Sequence, residues 1–285
     1  MKSMEDKTMH HLVSVIIPNY NGSEFIRQCL ESVFAQDYRH IEIIVVDDGS
    51  KDSSLEILSS FLGRIKIISQ QNLGSSAARN TGILASSGDL IAFLDSDDYW
   101  LPTKISKQVA EMEATSSDLI YCHGKEFGIN GESALHKAKL KGYCYDQYKK
   151  SPAKSIVELA CSTALIKKSL LARTGLFDSD FRGPAEDWDF FRRYCREAFI
   201  GYCDEVLVMY RRHSNNLSSA SLDHYFAGNK LAITKLFASD NQMGIIERRR
   251  VWFDFCFSFA KSYLKQRRPV KVLEIFFLAI LPIKA

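Results

Sequence analysis

Residues 90–98 read Leu-Ile-Ala-Phe-Leu-Asp-Ser-Asp-Asp, a short apolar run that ends in an acidic turn. An apolar run of this length is typical of a strand that is buried on both faces of a sheet. The same order, an apolar run and then a polar turn, recurs at residues 12–21 and 41–50. The three segments therefore predict three buried strands, each with a polar turn at its carboxyl end.

Helical patterns alternate with these strands, because apolar residues recur there at the spacing that buries one side of a helix. Alternating strands and helices indicate right-handed βαβ units and a mostly parallel sheet. Ligands of such sheets bind beyond the carboxyl ends of the strands, so the polar turns should open at one functional edge. We predict strands over 12–17, 41–46, 65–68 and 90–94, and helices over 24–36, 53–62 and 75–86.

The pattern after residue 100 is less regular. Residues 118–150 predict a loop-rich region, 185–198 a helix and 206–210 a further strand. From about residue 220 the spacing is helical and aromatic.

The composition is that of an ordinary folded protein. Of 285 residues, 46% are apolar and 25% charged, which is enough for a core that needs no disulfides. The seven cysteines are odd in number and contain no Cys-x-x-Cys pair, which argues against a disulfide framework and favours a reducing cytosol. We expect no secretory signal in residues 1–10, no transmembrane helix and no nucleic-acid partner.

Asp95 and Asp97 stand two residues apart, just beyond a predicted strand. Mg²⁺ and Mn²⁺ prefer oxygen ligands and commonly bind one or two carboxylates together with substrate phosphates. An ion held there would offset the negative charge of a diphosphate leaving group. A solvated acidic turn is the simpler interpretation of such a pair taken alone. Its position after a buried strand and beside a second acidic turn favours the metal site.

Further polar residues follow the other predicted strands. Asp47 and Asp48 suit hydrogen bonds from a nucleobase or a ribose hydroxyl, and one of them also suits a turn that caps the next helix. Tyr20, after Pro18, suits stacking on a base, although a plain turn is the favoured interpretation when this segment is taken alone.

Charged residues elsewhere have two interpretations each. Arg79 could neutralise the charge of a phosphate or anchor the acidic loops, and a structural role is at least equally favoured. Asp187, beside Glu186, is a candidate for the base that removes a proton from an acceptor hydroxyl. In the alternative interpretation, the two acids only complement the dipole of the predicted helix. His213 could complete a metal site or bind a phosphate, although a histidine in this setting is more often an ordinary polar loop residue.

Five ordered motifs together resemble the GT-A glycosyltransferases of family 2, a large inverting family. The resemblance covers about residues 13–213 and is far more specific than any single motif. It implies a Rossmann-like, mostly parallel central sheet with flanking helices, and an enzyme that passes a sugar from a nucleotide-sugar to a hydroxyl acceptor. The motifs are Val-Ser-Val-Ile-Ile-Pro-Asn-Tyr-Asn at 13–21, Ile-Ile-Val-Val-Asp-Asp-Gly-Ser at 43–50, residues 72–82, Phe-Leu-Asp-Ser-Asp-Asp at 93–98 and Glu-Asp-Trp-Asp at 186–189.

The resemblance also implies roles for the candidate residues. Asp187 would be the general base, with Glu186 beside it, and attack would be direct and inverting. The commonest donors of the family are UDP-sugars, and the cofactor would be Mn²⁺ or Mg²⁺. The implied metal ligands are Asp97, Asp95 and His213, and the implied nucleotide-sugar site consists of Pro18, Tyr20, Asp47, Asp48, Gly74, Arg79, Asn80, Asp95 and Ser96.

The chain is expected to divide into three regions. A disordered tail occupies 1–10. A GT-A domain over 11–215 contains a nucleotide-binding half, 11–100, and an acceptor-binding half, 101–215. Residues 216–285 form a C-terminal helical extension. Family members with such tails often act on bacterial surface polysaccharides, which implies a glycan or lipid-linked saccharide acceptor and a cytoplasmic location.

The extension leaves two interpretations open. Residues 248–250 are basic, and Trp252, Phe255, Phe259 and Tyr263 follow at helical spacing. Such a segment suits peripheral contact with the inner face of an anionic membrane. The alternative, which is slightly favoured, is a helical pair that packs on the catalytic domain or on another subunit of a homo-oligomer.

Other functions fit the sequence less well. A sugar nucleotidyltransferase needs a glycine-rich basic loop after its first strand, and here that loop has no basic residue before Arg27. A non-catalytic nucleotide-sugar-binding scaffold would be expected to lose Asp97 or Asp187, and both are present. The lack of G-x-G-x-x-G after a strand and of G-x-x-x-x-G-K-[ST] argues against a dehydrogenase and a P-loop enzyme.

Overall fold

The computed structural model describes residues 11–128, 131, 135–136, 141–144, 161–214, 216 and 221–280. The expected disordered tail over 1–10 and the last residues of the extension, 281–285, lie outside this part of the chain, as does most of 129–160.

Four parallel strands form the first half of the sheet. They are β1 (Val13–Asn19), β2 (Ile41–Asp47), β3 (Lys66–Ser69) and β4 (Leu90–Phe93), and the helices between them are α1 (Ile26–Phe34), α2 (Ser54–Ser59) and α3 (Ser75–Leu84). Their order across the sheet is β3–β2–β1–β4. Asn19 at the end of β1 pairs in register with Asp47 at the end of β2, so the polar turns share one edge.

The second half of the sheet mixes strand directions. Its strands are β5 (Tyr99–Trp100), β6 (Leu119–Gly128), β7 (Leu135–His136), β8 (Gly142–Tyr143), β9 (Leu165–Lys167) and β10 (Phe199–Arg212). β9 runs antiparallel to both β4 and β6, and β10 runs parallel to β6. The carboxyl end of β10 therefore lies at the same edge as the ends of β1, β2 and β4.

Two expectations for the second half are wrong, and one further helix was not predicted. Residues 119–128, expected as loop, form β6, and β10 extends over 14 residues, well beyond 206–210. β6 is largely buried, and β10 has two exposed residues where its register with β6 shifts, so neither strand shows a clean alternation of apolar and polar residues. The helix α4 (Lys104–Thr115) is not predicted because its buried side includes Lys104 and Gln108, which hydrogen-bond to each other at 2.7 Å.

Helices cover both faces of the sheet. One apolar cluster joins α1 and α4 to one face, with Leu30 and Ile105 fully buried in it. A second cluster joins α3 and α6 (Glu186–Glu197), which follows the short α5 (Leu171–Thr174), to the other face. Burial of a large apolar side chain contributes about 1.5–3 kcal/mol. The two clusters therefore hold the strands, and the turns beyond them, in fixed positions.

Three helices, α7 (Leu222–Ser239), α8 (Ile245–Lys265) and α9 (Pro269–Ile280), form the predicted C-terminal extension. They share an apolar cluster of their own, and α7 also contacts α6. Across the described residues, no helix combines the length and the apolar character that crossing a bilayer requires. The expected α/β fold, with a mostly parallel sheet and C-terminal helices, is confirmed.

Candidate active site

The acidic turn after β2 is held by hydrogen bonds within the protein. Asp47 accepts a hydrogen bond from Nδ2 of Asn19 at 2.9 Å. Asp48 accepts hydrogen bonds from Nε2 of Gln70 at 2.7 Å and from the backbone N–H of Gly74 at 2.8 Å. Both carboxylates are almost fully buried. They therefore fix the loops that border the edge of the sheet, including the turn that leads into α3.

Arg79 joins the turn after β4 to the start of α6. Its buried guanidinium places Nη2 2.7 Å from Oδ1 of Asp95 and Nη1 3.4 Å from Oε1 of Glu186. The hydroxyl of Ser75 lies 3.3 Å from the same Glu186 oxygen, and the Arg79 guanidinium lies 5.3 Å from the ring centroid of Phe177. One cation thus brings together carboxylates from two distant segments of the chain.

Asp97 contacts residues from the end of β10. Its Oδ2 lies 3.0 Å from Nε2 of His213 and 3.1 Å from Nδ2 of Asn216. Burial, and then the charge of Asp95, raise the pKa of Asp97. The turn after β4 therefore concentrates negative charge at the functional edge, where a cation would be stabilised.

Asp187 lies in the first turn of α6, beside Glu186. The residue just before the helix, Ala185, has a φ of +85°, a left-handed conformation that turns the chain into the helix. Asp187 accepts a 2.7 Å hydrogen bond from the backbone N–H of Trp188 and forms no ion pair with any described residue. Burial, and then the charge of Glu186, raise the pKa of Asp187 to about 7. A carboxylate with this pKa is suited to accept a proton from a hydroxyl at neutral pH.

Comparison with known protein families identifies the family of this chain. The model described as "Glycosyl transferase family 2" matches residues 14–175, more than half of the chain. The chain belongs to glycosyltransferase family 2. A second model, "Glycosyltransferase like family 2", matches residues 139–247 of this family 2 protein. The expectation that it is a transferase of this family is confirmed.

Relatives of this family 2 transferase include bacterial proteins and solved structures. An uncharacterized glycosyltransferase from Rickettsia typhi is 30% identical over 224 residues, which cover 77% of this chain and 70% of the relative. The uncharacterized glycosyltransferase EpsJ from Bacillus subtilis is 34% identical over 218 residues, 73% of this chain and 63% of the relative. The crystal structure of S. aureus TarS 1-349 superposes with a TM-score of 0.66 at 22% identity, covering 94% of this chain and 80% of that chain. This likeness confirms the GT-A fold.

The family 2 site fits a divalent cation through two of the three predicted ligands. The imidazole of His213 and the carboxylate of Asp97 lie 3.0 Å apart, and both are groups that would hold Mn²⁺ or Mg²⁺ together with substrate phosphates. The third predicted ligand, Asp95, is bound to Arg79. Among the residues that the structure describes, no three His, Cys, Asp or Glu side chains form a metal cluster. An ion held by Asp97 and His213 would complete its shell with diphosphate oxygens and water.

Other predicted binding residues have varied surroundings. Both polar ends of the Asn80 amide hydrogen-bond to the backbone of Phe177, at 2.8 and 2.9 Å. Tyr20 is 50% exposed, which leaves its ring available for stacking. Pro18 lies within β1, and Ser96 is half-buried in the acidic turn. Their roles in nucleotide-sugar binding stay predictions.

Three residues that the sequence pattern did not single out interact with carboxylates of the candidate site. The hydroxyl of Ser162 donates to Oδ2 of Asp98 at 2.6 Å, and the backbone N–H of Arg211 donates to the other oxygen at 3.0 Å. Burial, and then the charge of Asp187, raise the pKa of Tyr225, because α7 lies beside the start of α6. Neither Ser162 nor Tyr225 stands in a recognisable motif, so only the folded chain could reveal them. Asn216 was missed for the same reason.

Proposed function

We propose that this family 2 enzyme is an inverting glycosyltransferase that moves a sugar from a UDP-sugar to an acceptor hydroxyl, with Asp187 as general base. The observation that carries the proposal is the contact of Arg79 with both Asp95 and Glu186. It couples the turn predicted to bind the donor to the helix start that carries the candidate base. A binding scaffold would have no need of a carboxylate with a raised pKa at that point.

In the proposed reaction, the acceptor hydroxyl attacks the anomeric carbon of the donor sugar. Its proton passes to the carboxylate of Asp187, the new glycosidic bond forms, and the bond to the diphosphate breaks. The nucleoside diphosphate leaves on the opposite side, so the anomeric configuration inverts. Asp97 and His213 would hold Mn²⁺ or Mg²⁺, which supplies positive charge to stabilise the diphosphate leaving group.

The choice of donor and cofactor rests on solved structures of the same fold. S. aureus TarS 1-349 is described in complex with UDP-GlcNAc and in complex with UDP. A mannosyltransferase from Pyrobaculum calidifontis, with a TM-score of 0.60 at 16% identity, is described in complex with GDP-Man and Mn²⁺. These complexes support a nucleotide-sugar donor here and make UDP the first nucleotide to test.

The acceptor and the location complete the proposal. We assign the acceptor to a bacterial surface glycan or its lipid-linked precursor, as the family resemblance implies. The seven cysteines are all buried and unpaired, which supports action in a reducing cytoplasm.

A donor screen tests the reaction class. UDP-, GDP- and dTDP-sugars are incubated with the protein and Mn²⁺, and release of the free sugar is measured. Slow hydrolysis of a UDP-sugar that stops on addition of a chelator is the expected result. Hydrolysis of a GDP-sugar alone would contradict the choice of UDP, and hydrolysis of none would count against the enzyme.

Substitution of the base tests the mechanism. Asp187→Asn should lower transfer by about 10²–10⁴-fold, the usual contribution of general base catalysis, while UDP binding is unchanged. The matched control is Asp89→Asn, which makes the same change at an exposed position just before β4, at the opposite end of that strand. Near-normal transfer by Asp187→Asn would remove Asp187 from the mechanism.

A further inference from the structure

The hairpin formed by α8 and α9 is packed on one side only. Its buried side chains Trp252, Phe255 and Ile275 form a cluster with Leu236 and Phe237 of α7. The indole Nε1 of Trp252 also donates a 2.9 Å hydrogen bond to a backbone carbonyl of α9, which fixes the two helices against each other. The hairpin is thus a rigid unit with a second face that α7 does not cover.

That second face of α8 carries a row of exposed apolar side chains. Ile246, Phe253, Phe257 and Leu264 follow at intervals of seven, four and seven residues, which places them on one side of the helix. They are 83%, 50%, 43% and 64% exposed. The rings of Phe253 and Phe257 stack with centroids 6.1 Å apart, so the two aromatic side chains at the middle of the row are in contact.

Helix α9 extends this row into a broader surface. Phe253 and Phe257 of α8 line a shallow groove together with Phe276 of α9, so the exposed side chains of the two helices adjoin. A contiguous exposed patch of large apolar side chains marks an interaction site in most proteins. We call this surface the apolar face; it consists of Ile246, Phe253, Phe257, Leu264, Leu273, Phe276, Phe277 and Ile280.

The surroundings of the apolar face are basic. Residues 245–280 contain eight Lys or Arg and three Asp or Glu, a net charge of +5, whereas the whole chain carries +3. Arg249, Arg250 and Lys261 are exposed and, by helical spacing, flank the apolar row of α8. Within the described part of the chain, no carboxylate lies within ion-pair distance of these three residues. The Nζ of Lys261 lies 4.4 Å from the centroid of the Phe257 ring, so at least this positive charge lies at the apolar face itself.

We propose that the apolar face binds the surface of an anionic lipid bilayer, with its aromatic side chains among the acyl chains and its cations at the headgroups. A surface helix that joins aromatic residues to Lys and Arg is suited to this position. A second copy of the chain would offer three carboxylates to the eight cations of this region, so most of the cations would stay unneutralised. Anionic headgroups neutralise them, so the charge favours the bilayer.

The hairpin is connected to the candidate active site through α7. The hydroxyl of Tyr263 and the guanidinium of Arg268 hydrogen-bond to Asp223 in the first turn of α7, at 2.7 and 2.8 Å. Tyr225, two residues further on, lies close enough to Asp187 for the charge of that carboxylate to raise its pKa, after the larger effect of burial. A bilayer on the apolar face would therefore orient the site relative to the membrane, which suits the lipid-linked acceptor of the proposed function. The binding itself does not depend on that function.

Vesicle co-sedimentation of the full chain tests the proposal. The protein is mixed with vesicles of phosphatidylcholine alone or with added phosphatidylglycerol. We expect strong pelleting only with the anionic vesicles, weakened by high salt because salt screens the cations. The variant Phe253→Ser/Phe257→Ser/Phe277→Ser should bind at least tenfold more weakly. The control variant Leu62→Ser/Leu84→Ser alters residues that are 68% and 75% exposed on the catalytic domain and should bind like the wild type.

Two further measurements keep the result decisive. If the phenylalanine variant is unstable by thermal unfolding, Arg249→Gln/Arg250→Gln/Lys261→Gln replaces it, with the same tenfold loss expected. Sedimentation velocity without vesicles measures self-association. The proposal is overturned if the wild type does not pellet with anionic vesicles, or if these variants pellet equally well. A wild-type dimer that the phenylalanine variant abolishes, without vesicle binding, would assign the face to a second copy.

Discussion

At the scale of single residues, Asp187 and Glu186 are adjacent carboxylates with different partners. Glu186 is held by Arg79 and by the hydroxyl of Ser75, whereas Asp187 has no ion pair in the described structure. Neighbouring carboxylates in different environments commonly take different roles. We therefore expect Glu186 to position the helix start and Asp187 to exchange the proton.

The pKa of Asp187 predicts how the transfer rate depends on pH. A general base acts only when it is deprotonated, and the pKa of Asp187 is about 7. We expect kcat/KM to fall about tenfold for each pH unit below 7 and to level off above it. The measurement is kcat/KM between pH 5 and 9. A flat profile from pH 5 to 7 would show that another group is the base.

The same pKa predicts that Asp187→Asn stabilises the protein. The pKa of Asp187 is higher in the folded state than its ordinary value of 3.8, so the folded state binds this proton more tightly than the unfolded state. Stability is therefore lost as the pH rises from about 4 to 7. The Tm of the Asn variant should exceed that of the wild type at pH 8, and by less at pH 5. An equal or opposite difference would contradict a raised pKa.

Removal of Arg79 should destabilise the protein. Arg79→Met leaves Glu186 and Asp95 without their buried cation, a loss of about 3 kcal/mol or more in the free energy of unfolding. Chemical denaturation measures it. Arg173→Met is the control, because Arg173 is 64% exposed and lies 4.0 Å from Glu197, and such surface pairs contribute about 0–1 kcal/mol. Equal losses in the two variants would contradict the bridging role.

At the scale of elements, the position of α6 depends on α7. A Cβ added at Gly228 of α7 would lie 2.2 Å from the carbonyl oxygen of Pro184, in the turn that leads into α6. α7 therefore contacts this turn at a point where only glycine fits. The helix of the extension thereby supports the segment that carries Asp187.

Gly228→Ala tests this contact. Alanine normally stabilises a helix interior by about 1 kcal/mol relative to glycine, but here overpacking should cost roughly 1–3 kcal/mol and displace Asp187. We expect a lower Tm and a lower kcat. The control is Gly244→Ala, where an added Cβ meets nothing within 4 Å. A Gly228→Ala variant with wild-type Tm and kcat would show that the contact is dispensable.

At the scale of the whole molecule, the two proposed halves of the catalytic domain share one core. The apolar cluster beneath α1 combines Val13 and Leu30 with Ile105 and Leu207. Strand β9, from the second half, also pairs directly with β4 of the first. The halves over 11–100 and 101–215 are thus proposed as functional divisions and not as separate folding units.

This shared core predicts the behaviour of fragments. A fragment of residues 1–100 loses the partners of its largest cluster and should show no cooperative thermal unfolding by circular dichroism. A fragment of residues 1–215 keeps both sheet clusters and should unfold cooperatively, at a lower Tm than the full chain because α7 is missing. Cooperative unfolding of the shorter fragment would show that the first half folds alone.

The sequence by itself determined the first half of the fold and the acidic turns of the candidate site. Apolar runs and helical spacing are local patterns, and each one reports which side of its own segment is buried. The strands β1 to β4, the acidic turns with Asp48 and Asp97, and the helix start with Asp187 follow from such patterns, and the resemblance to family 2 rests on them.

Only the tertiary structure decided the rest. β6 is recognised as a strand by its pairing with β10. Asn216 hydrogen-bonds to Asp97, although the two residues are 119 positions apart in the sequence. Arg79 acquired its two carboxylate partners in the same way. Such contacts join segments that lie far apart along the chain, so no local spacing encodes them. They form because packing of the two sheet clusters brings the chain segments together, and buried polar groups then take the partners within reach.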